Sequence, residues 1–242
     1  MKLLLIISIF VLSLFANDDF EIDDEAFDSF AEEFASPTKP DLDPLKSYNI
    51  IMTEYNDFFY TTVFFPVAKN YAKILPLNVR LSISNFFHNL NYPVRVINNI
   101  AQLKFKNTLE ESQRFIINST IGIAGLFDIA KDRFKLQKHN EDLGQTLGFY
   151  GVGSGFHIVL PFLGPSNLRD TFSILVDSQA DIIYKLQDEE VIATKTLFYT
   201  NETTFKTKEY ESLKQDAVHL YPYLKNIYEQ HRESEINKWN YY

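Results

Sequence analysis

The sequence predicts a mainly α protein, built from short to medium helices that meet at sharp corners and interrupted by one irregular glycine-rich segment. Three observations carry this. Prolines recur where a helical pattern restarts, at Pro44, Pro66, Pro76 and Pro222, and the first helical turn tolerates proline because an N–H there has no intrahelical partner. Between these points apolar residues fall three and four apart. All eight glycines lie from Gly122 to Gly164, and residues 1–121 and 165–242 contain none. Glycine serves positive φ and close backbone approach, so this belt marks one such feature.

Taken in order, residues 1–16 have the pattern of a secretory signal: Lys2, the apolar run Leu3–Phe15 and Ala16 at a cleavage position. The run is short for a membrane span; an uncleaved N-terminal anchor is the other reading. Residues 17–42 form an acidic, Phe-containing linker. Its nine acids fall in 17–36 without a base, and Phe20, Phe27, Phe30 and Phe34 share one helical face, which suits either a solvated spacer or a partner-docking helix. Asp43 and Pro44 predict a helix start, with Asp43 as cap and Leu45, Tyr48, Met52, Tyr55 and Phe59 as its stripe. Phe64-Phe65-Pro66 ends it, and Pro66 opens a short helix to Ile74. Pro76 opens the next, with Val79, Ile83, Phe86, Phe87 and Leu90. Asn91-Tyr92-Pro93 breaks it before Val94–Leu103. Thr108 and Glu111 have capping-box spacing. Lys131–Asn140 reads as a surface loop, and Gly144–Gly164 as non-helical, with Phe156–Leu163 extended or a buried turn. A helix follows over Ser166–Asp177. Residues 191–200 suit strand and helix equally, and helical patterns resume from Glu209 and Pro222 to Trp239.

Composition excludes several classes. The net charge of −9 resides almost wholly in the acidic tract, so the nearly neutral body carries no nucleic-acid footprint. There is no cysteine, which removes disulfides, thiolate metal sites and a lipidated cysteine. With 22 Phe and 15% aromatics, more large rings are present than a core holds, and lipid is one surface they can face. Gly148, Gly151, Gly153 and Gly155 have the wrong spacing for a dinucleotide fingerprint, and no Gly-Lys-Ser/Thr occurs. Ser154 lacks the glycines of a nucleophile elbow, since Val152 and Phe156 stand there. The five histidines show no metal-binding spacing, and His157 reads as a packed residue. No catalytic site, metal or cofactor is expected.

Polar residues embedded in apolar helices are more informative: Asn49 and Asn56, seven apart on one face, with Asn85, Asn89, Asn98, Arg114 and Asn118. Buried polar groups need partners, so these either lock helix corners together or line a wet path.

Several blocks together resemble the VacJ/MlaA family. They are Asp43-Pro44-Leu45 with Tyr48-Asn49; Ser84-Asn85-Phe86-Phe87-His88-Asn89-Leu90; Arg114 through Gly122 with Gly125-Leu126-Phe127-Asp128; Glu141 through Gly148 with Tyr150-Gly151-Val152-Gly153; and Leu160-Pro161, Gly164-Pro165-Ser166 and Leu168-Arg169-Asp170. The resemblance spans 43–235, leaving 236–242 as a tail. It implies an all-helical, ring-like protein seated in the outer membrane at its periplasmic face. It also implies a non-enzymatic role: misplaced phospholipid is removed from the outer leaflet and passed through a central channel to a soluble periplasmic carrier, beside a porin. A scaffold that binds porins without carrying lipid is the alternative. The channel candidates are then Asn49, Asn56, Gly122, Gly125, Gly144, Gly148, Gly151, Gly153 and Gly155. Asn85, Arg114, Asn118, Asp142, Arg169 and Asp170 are candidates for a structural polar network. Family members are usually lipoproteins, from which this chain departs in having no cysteine to acylate.

Overall fold

A computed structural model describes residues 43–237; the predicted signal segment, the acidic linker and the end of the tail lie outside the described residues. The fold is mainly helical, as predicted. Its helices are α1 (Lys46–Phe59), α2 (Phe65–Ile74), α3 (Leu77–Leu90), α4 (Tyr92–Ala101), α5 (Phe105–Thr120), α6 (Ile129–Asp132), α7 (Leu143–Phe149), α8 (Leu168–Asp177), α9 (Asp188–Asp216) and α10 (Leu220–Asn237). Two short strands, β1 (His157–Leu160) and β2 (Gly164–Asn167), form an antiparallel hairpin between α7 and α8.

Four local expectations are corrected and one left open between strand and helix is settled. Helix α1 begins after Leu45, without a side-chain cap; Asp43 instead turns inward to accept hydrogen bonds from Asn49, Tyr221 and Lys225, because a buried ammonium and phenol hold a carboxylate more strongly than exposed N–H groups do. Pro66 does not restart the chain. A π-helical turn, Tyr60–Phe64, joins α1 to α2 without a break, and its wider winding accommodates a proline that has no N–H to give. Thr108 caps nothing: it lies inside α5, its hydroxyl bonded back to the Lys104 carbonyl at 3.0 Å. Gly144 and Gly148 lie within helix α7, which Asp142 and Gln145 start with a reciprocal capping box. Residues 191–200 fall inside the 29-residue helix α9, started by a Gln187–Glu190 capping box; packing on α2 and α3 overrides the β-branched composition.

The helices close a cycle. Following packing neighbours, α1 leads through the π turn to α2, then to α9, α3, α4, α7 and α10, and α10 returns to α1. Helix α5 leans on α4 from outside the cycle, and α8 on α7.

Burial is inverted. Among the described residues the fully buried side chains are mostly polar or charged, such as Asn49, Asn99, Gln102, Glu111, Asn167 and Asn201, whereas the buried apolar set is small, with Met52, Val159 and Tyr221 at its centre. Large apolar side chains point outward on several helices. Leu168, Phe172 and Leu175, which share one side of α8, are all exposed. No helix among the described residues is long and apolar enough to cross a membrane.

Candidate functional site

Two asparagines fix the hairpin to α1. The buried Asn49 accepts from Val159 N at 2.8 Å and donates to the His157 carbonyl at 3.1 Å. One helical repeat on, Asn56 accepts from Phe162 N at 2.7 Å and donates to the Leu160 carbonyl at 2.9 Å. Each amide supplies one acceptor and one donor, so the pair stands in for a strand along the free edge of β1. The turn that follows holds Phe162 at φ 63°, a region costly for a residue with a Cβ. Tyr60 donates to its carbonyl and the rings of Tyr55 and Phe59 pack on it at 5.5 and 5.0 Å, which offsets the cost.

A second assembly joins α7, α8 and α10. Arg232 reaches Asp142 with both terminal nitrogens, at 2.8 and 2.9 Å, and Asp170 through Nε at 2.8 Å. Asp170 also accepts from Arg169, Tyr228 and Asn167. Burial alone would raise the Asp170 carboxyl, but the hydrogen bonds from Arg232, Tyr228 and Arg169 outweigh it and lower its pKa. Burial likewise opposes the Arg232 cation, and the two carboxylates overcome it and raise its pKa. Asp177 differs. Burial dominates and raises it, although Leu143 N and Asn98 donate to it. A cavity of about 200 Å³ opens here, lined by the charged or polar Asp142, Asp170, Asp177, Tyr228 and Arg232 together with the apolar Leu160, Leu163, Pro165 and Ile174. Its lining is mixed, part charged and part hydrocarbon.

A third assembly ties α4 and α5 to the segment after α6. Arg95 pairs with the fully buried Glu111 at 2.7 Å, and Lys104 with Glu141 at 2.7 Å. Arg114 and Asn118 converge on Asp128 at 2.7 and 2.9 Å. Asn85 makes a long bond, 3.4 Å, to the Leu126 carbonyl.

The glycine belt divides by surroundings. A Cβ on Gly144 would stand 2.2 Å from Asp170 Oδ1, and one on Gly125 would stand 2.5 Å from Asn89 Cβ, so these serve close approach. A Cβ on Gly122, Gly148 or Gly155 would likewise crowd Phe127, Ile236 or Leu168. Only Gly151 and Gly153 face open space, with nothing within 4 Å. Among the proposed network residues, the fold brings Asp142, Arg169 and Asp170 together and places Arg114 and Asn118 in another cluster; Asn85 stands apart. The sequence reading missed Arg232, Arg95 and Glu111. Arg95 alone carried a signal, as the one charged residue of the short helix α4, whereas α5 and α10 hold many charged residues among which Glu111 and Arg232 do not stand out.

These features define a class: a mainly helical protein whose charged interior is paired and whose apolar side chains turn outward. The model of the MlaA lipoprotein family matches residues 41–235. An uncharacterised protein of Rickettsia prowazekii (strain Madrid E) is 32% identical over 181 residues, covering 74% of this chain and 72% of its own length. The intermembrane phospholipid transport system lipoprotein MlaA of Shigella flexneri is 33% identical over 139 residues, covering 56% of this chain and 55% of its own; that of Escherichia coli (strain K12) is 33% identical over 138 residues, with the same coverage. The chain thus spans about half the length of these transport-system relatives. A chain solved in work on the structural basis for maintenance of bacterial outer membrane lipid asymmetry aligns with a TM-score of 0.72 at 25% identity, covering 81% of this chain and 99% of that one. The protein belongs to the MlaA lipoprotein family.

Proposed function

We propose that this protein is a non-enzymatic component of phospholipid transport. In this reading it sits in the outer membrane at the periplasmic face, removes misplaced phospholipid from the outer leaflet and passes it to a soluble carrier, beside a porin. The single observation that carries the reading is the inversion of burial: polar and paired charged side chains are buried, and large apolar side chains are exposed on several helices. In water such a surface is costly, whereas against acyl chains it is not. A head group crosses hydrocarbon only along a polar route, and the relatives named for intermembrane phospholipid transport favour lipid as the cargo. Without a cysteine to acylate, membrane seating draws on the folded body, on a retained N-terminal segment or on a partner. Within this reading Gly151 and Gly153, which face open space, are the belt positions left to line the route.

The test is genetic. A deletion strain is expected to accumulate outer-leaflet phospholipid, and the intact gene to reverse it. Rescue by a folded Gly153→Leu variant that still binds porin would instead favour a scaffold that carries no lipid. Unchanged asymmetry in the deletion strain would reject the transport reading.

A further inference from the structure

Helix α5 is built inside out. Glu111, Arg114 and Asn118, spaced three and four apart, form its inner face and are all buried. Phe105, Leu109 and Ile116, spaced four and seven apart, form the opposite face and are all exposed. The corners at its two ends are strained. Helix α4 closes in a Schellman motif, with Lys104 N donating to the Asn99 carbonyl and Leu103 N to the Ile100 carbonyl, each at 2.9 Å. The left-handed residue of such a motif is ordinarily glycine, but here it is Leu103, at φ 58°. After α5, Ile123 and Ala124 both stand at φ 54°, a region costly for any residue with a Cβ and most unusual for a β-branched one. Ala124 N and Gly125 N pin this turn by donating to the Ser119 and Asn118 carbonyls at 3.0 and 2.7 Å.

Phe162 meets the same cost inside the fold, where Tyr55, Phe59 and Tyr60 hold it. Leu103 and Ile123 gain no such packing, at 60% and 61% exposed. Strain kept for a largely bare apolar side chain points to a contact beyond the described residues. Charge indicates what makes it. From Leu103 to Lys135 the exposed charged residues are Lys106, Lys131, Arg133 and Lys135, against Asp132 alone. The carboxylates of Glu111 and Asp128 are engaged by Arg95 and Arg114, and that of Glu110 by His139. Bare aliphatic side chains bordered by cations match acyl chains lying beneath anionic head groups. With 16 residues, α5 is too short to span a bilayer and meets it side-on.

We propose that the outer face of α5 docks on a phospholipid leaflet carrying anionic head groups, with Leu103 and Ile123 inserted among the acyl chains and Lys106, Lys131 and Arg133 at the phosphates. This rests on the membrane seating of the proposed function, and adds the face that meets the lipid and the lipid charge it selects.

The test reconstitutes the purified full chain with vesicles of phosphatidylcholine, alone or mixed with phosphatidylglycerol. Because the chain has no cysteine, Leu103→Cys, Ile116→Cys, Ile123→Cys and Lys131→Cys each take one nitroxide label without further change. On the mixed vesicles, oxygen and not a water-soluble nickel chelate is expected to reach the labels at 103, 116 and 123, whereas the chelate reaches the one at 131. Leu103→Gly installs the residue that the motif favours, so helicity should be kept while flotation weakens about tenfold, as the loss of one lipid-buried leucine implies. Lys131→Gln is expected to weaken flotation about fivefold, and high salt to weaken it as well. Labels at 103 and 123 open to the chelate while the parent floats overturn the docking of α5 and leave seating by another face standing. Labels closed to both reagents overturn it too, because a protein surface then covers the helix. Equal flotation on the two kinds of vesicle overturns the assignment to an anionic leaflet. No flotation of the parent on either rejects membrane seating by the chain itself, and the docking with it.

Discussion

Asn49 on α1 and Val159 on β1 are joined by a buried hydrogen bond of 2.8 Å in which a side-chain amide occupies the place of a neighbouring strand. Asn49→Ala orphans this N–H and the His157 carbonyl together. At about 1–3 kcal/mol for each of the two buried groups left without a partner, the variant should lose roughly 2–6 kcal/mol by denaturant unfolding. Asn49→Asp still accepts from Val159 but sets a buried carboxylate against Asp43 and the His157 carbonyl, and should lose at least as much as Asn49→Ala.

Arg232→Ala leaves Asp142 without this cation and Asp170 with Arg169 alone. Removing one partner of a buried pair costs about 3–5 kcal/mol, and α10 should detach from α7 and α8 first, seen as faster amide exchange in α10. Arg232→Lys keeps the charge and loses the two-pronged grip on Asp142, so it should recover only part of that loss.

Gly144→Ala and Gly153→Ala should differ sharply. The first puts a methyl 2.2 Å from Asp170 Oδ1, whereas the second puts one into open space. Melting temperature should fall for Gly144→Ala and stay level for Gly153→Ala.

Outward-facing Phe172 and Leu175 are 55% and 66% exposed, so glutamates there should leave helicity unchanged. Burying such a side chain in hydrocarbon is worth about 1.5–3 kcal/mol. Each substitution should therefore weaken partition into phosphatidylglycerol-containing vesicles by about tenfold or more, measured by flotation.

His88 gives a pH signature. Its folded pKa, about 4, lies below the ordinary 6.5, so on acidification the unfolded chain takes up this proton first. The contribution is full above about 6.5, declines between there and about 4, and levels off below. His88→Gln should remove this part of the slope when its stability curve is subtracted from the parent's.

Much of the helix order was legible because prolines and asparagines mark the corners: α3, α4 and α8 lie within a few residues of their predicted bounds. The seven-residue spacing of Asn49 and Asn56 placed them on one face, but nothing local revealed that their partner is the edge of β1 more than a hundred residues on. Helix α7 was hidden by Gly144 and Gly148, which lower helix propensity by about 1 kcal/mol each; they are there because Asp170 and Ile236 come too close for a Cβ. Thr108 and Glu111 carried a capping signal that Arg95 overrides by drawing Glu111 into the interior. Arg232 was obscure for the same reason, since its partners come from two other helices.

The inverted burial has a thermodynamic consequence. Exposing apolar surface raises the heat capacity of unfolding, whereas exposing polar surface lowers it. A chain that releases mainly asparagine, glutamine and paired charge should therefore fall below the usual ~12–15 cal/mol/K per residue. Its stability curve against temperature would be broad and flat, with cold denaturation pushed far from the working range and calorimetric enthalpy changing little from one melting temperature to the next.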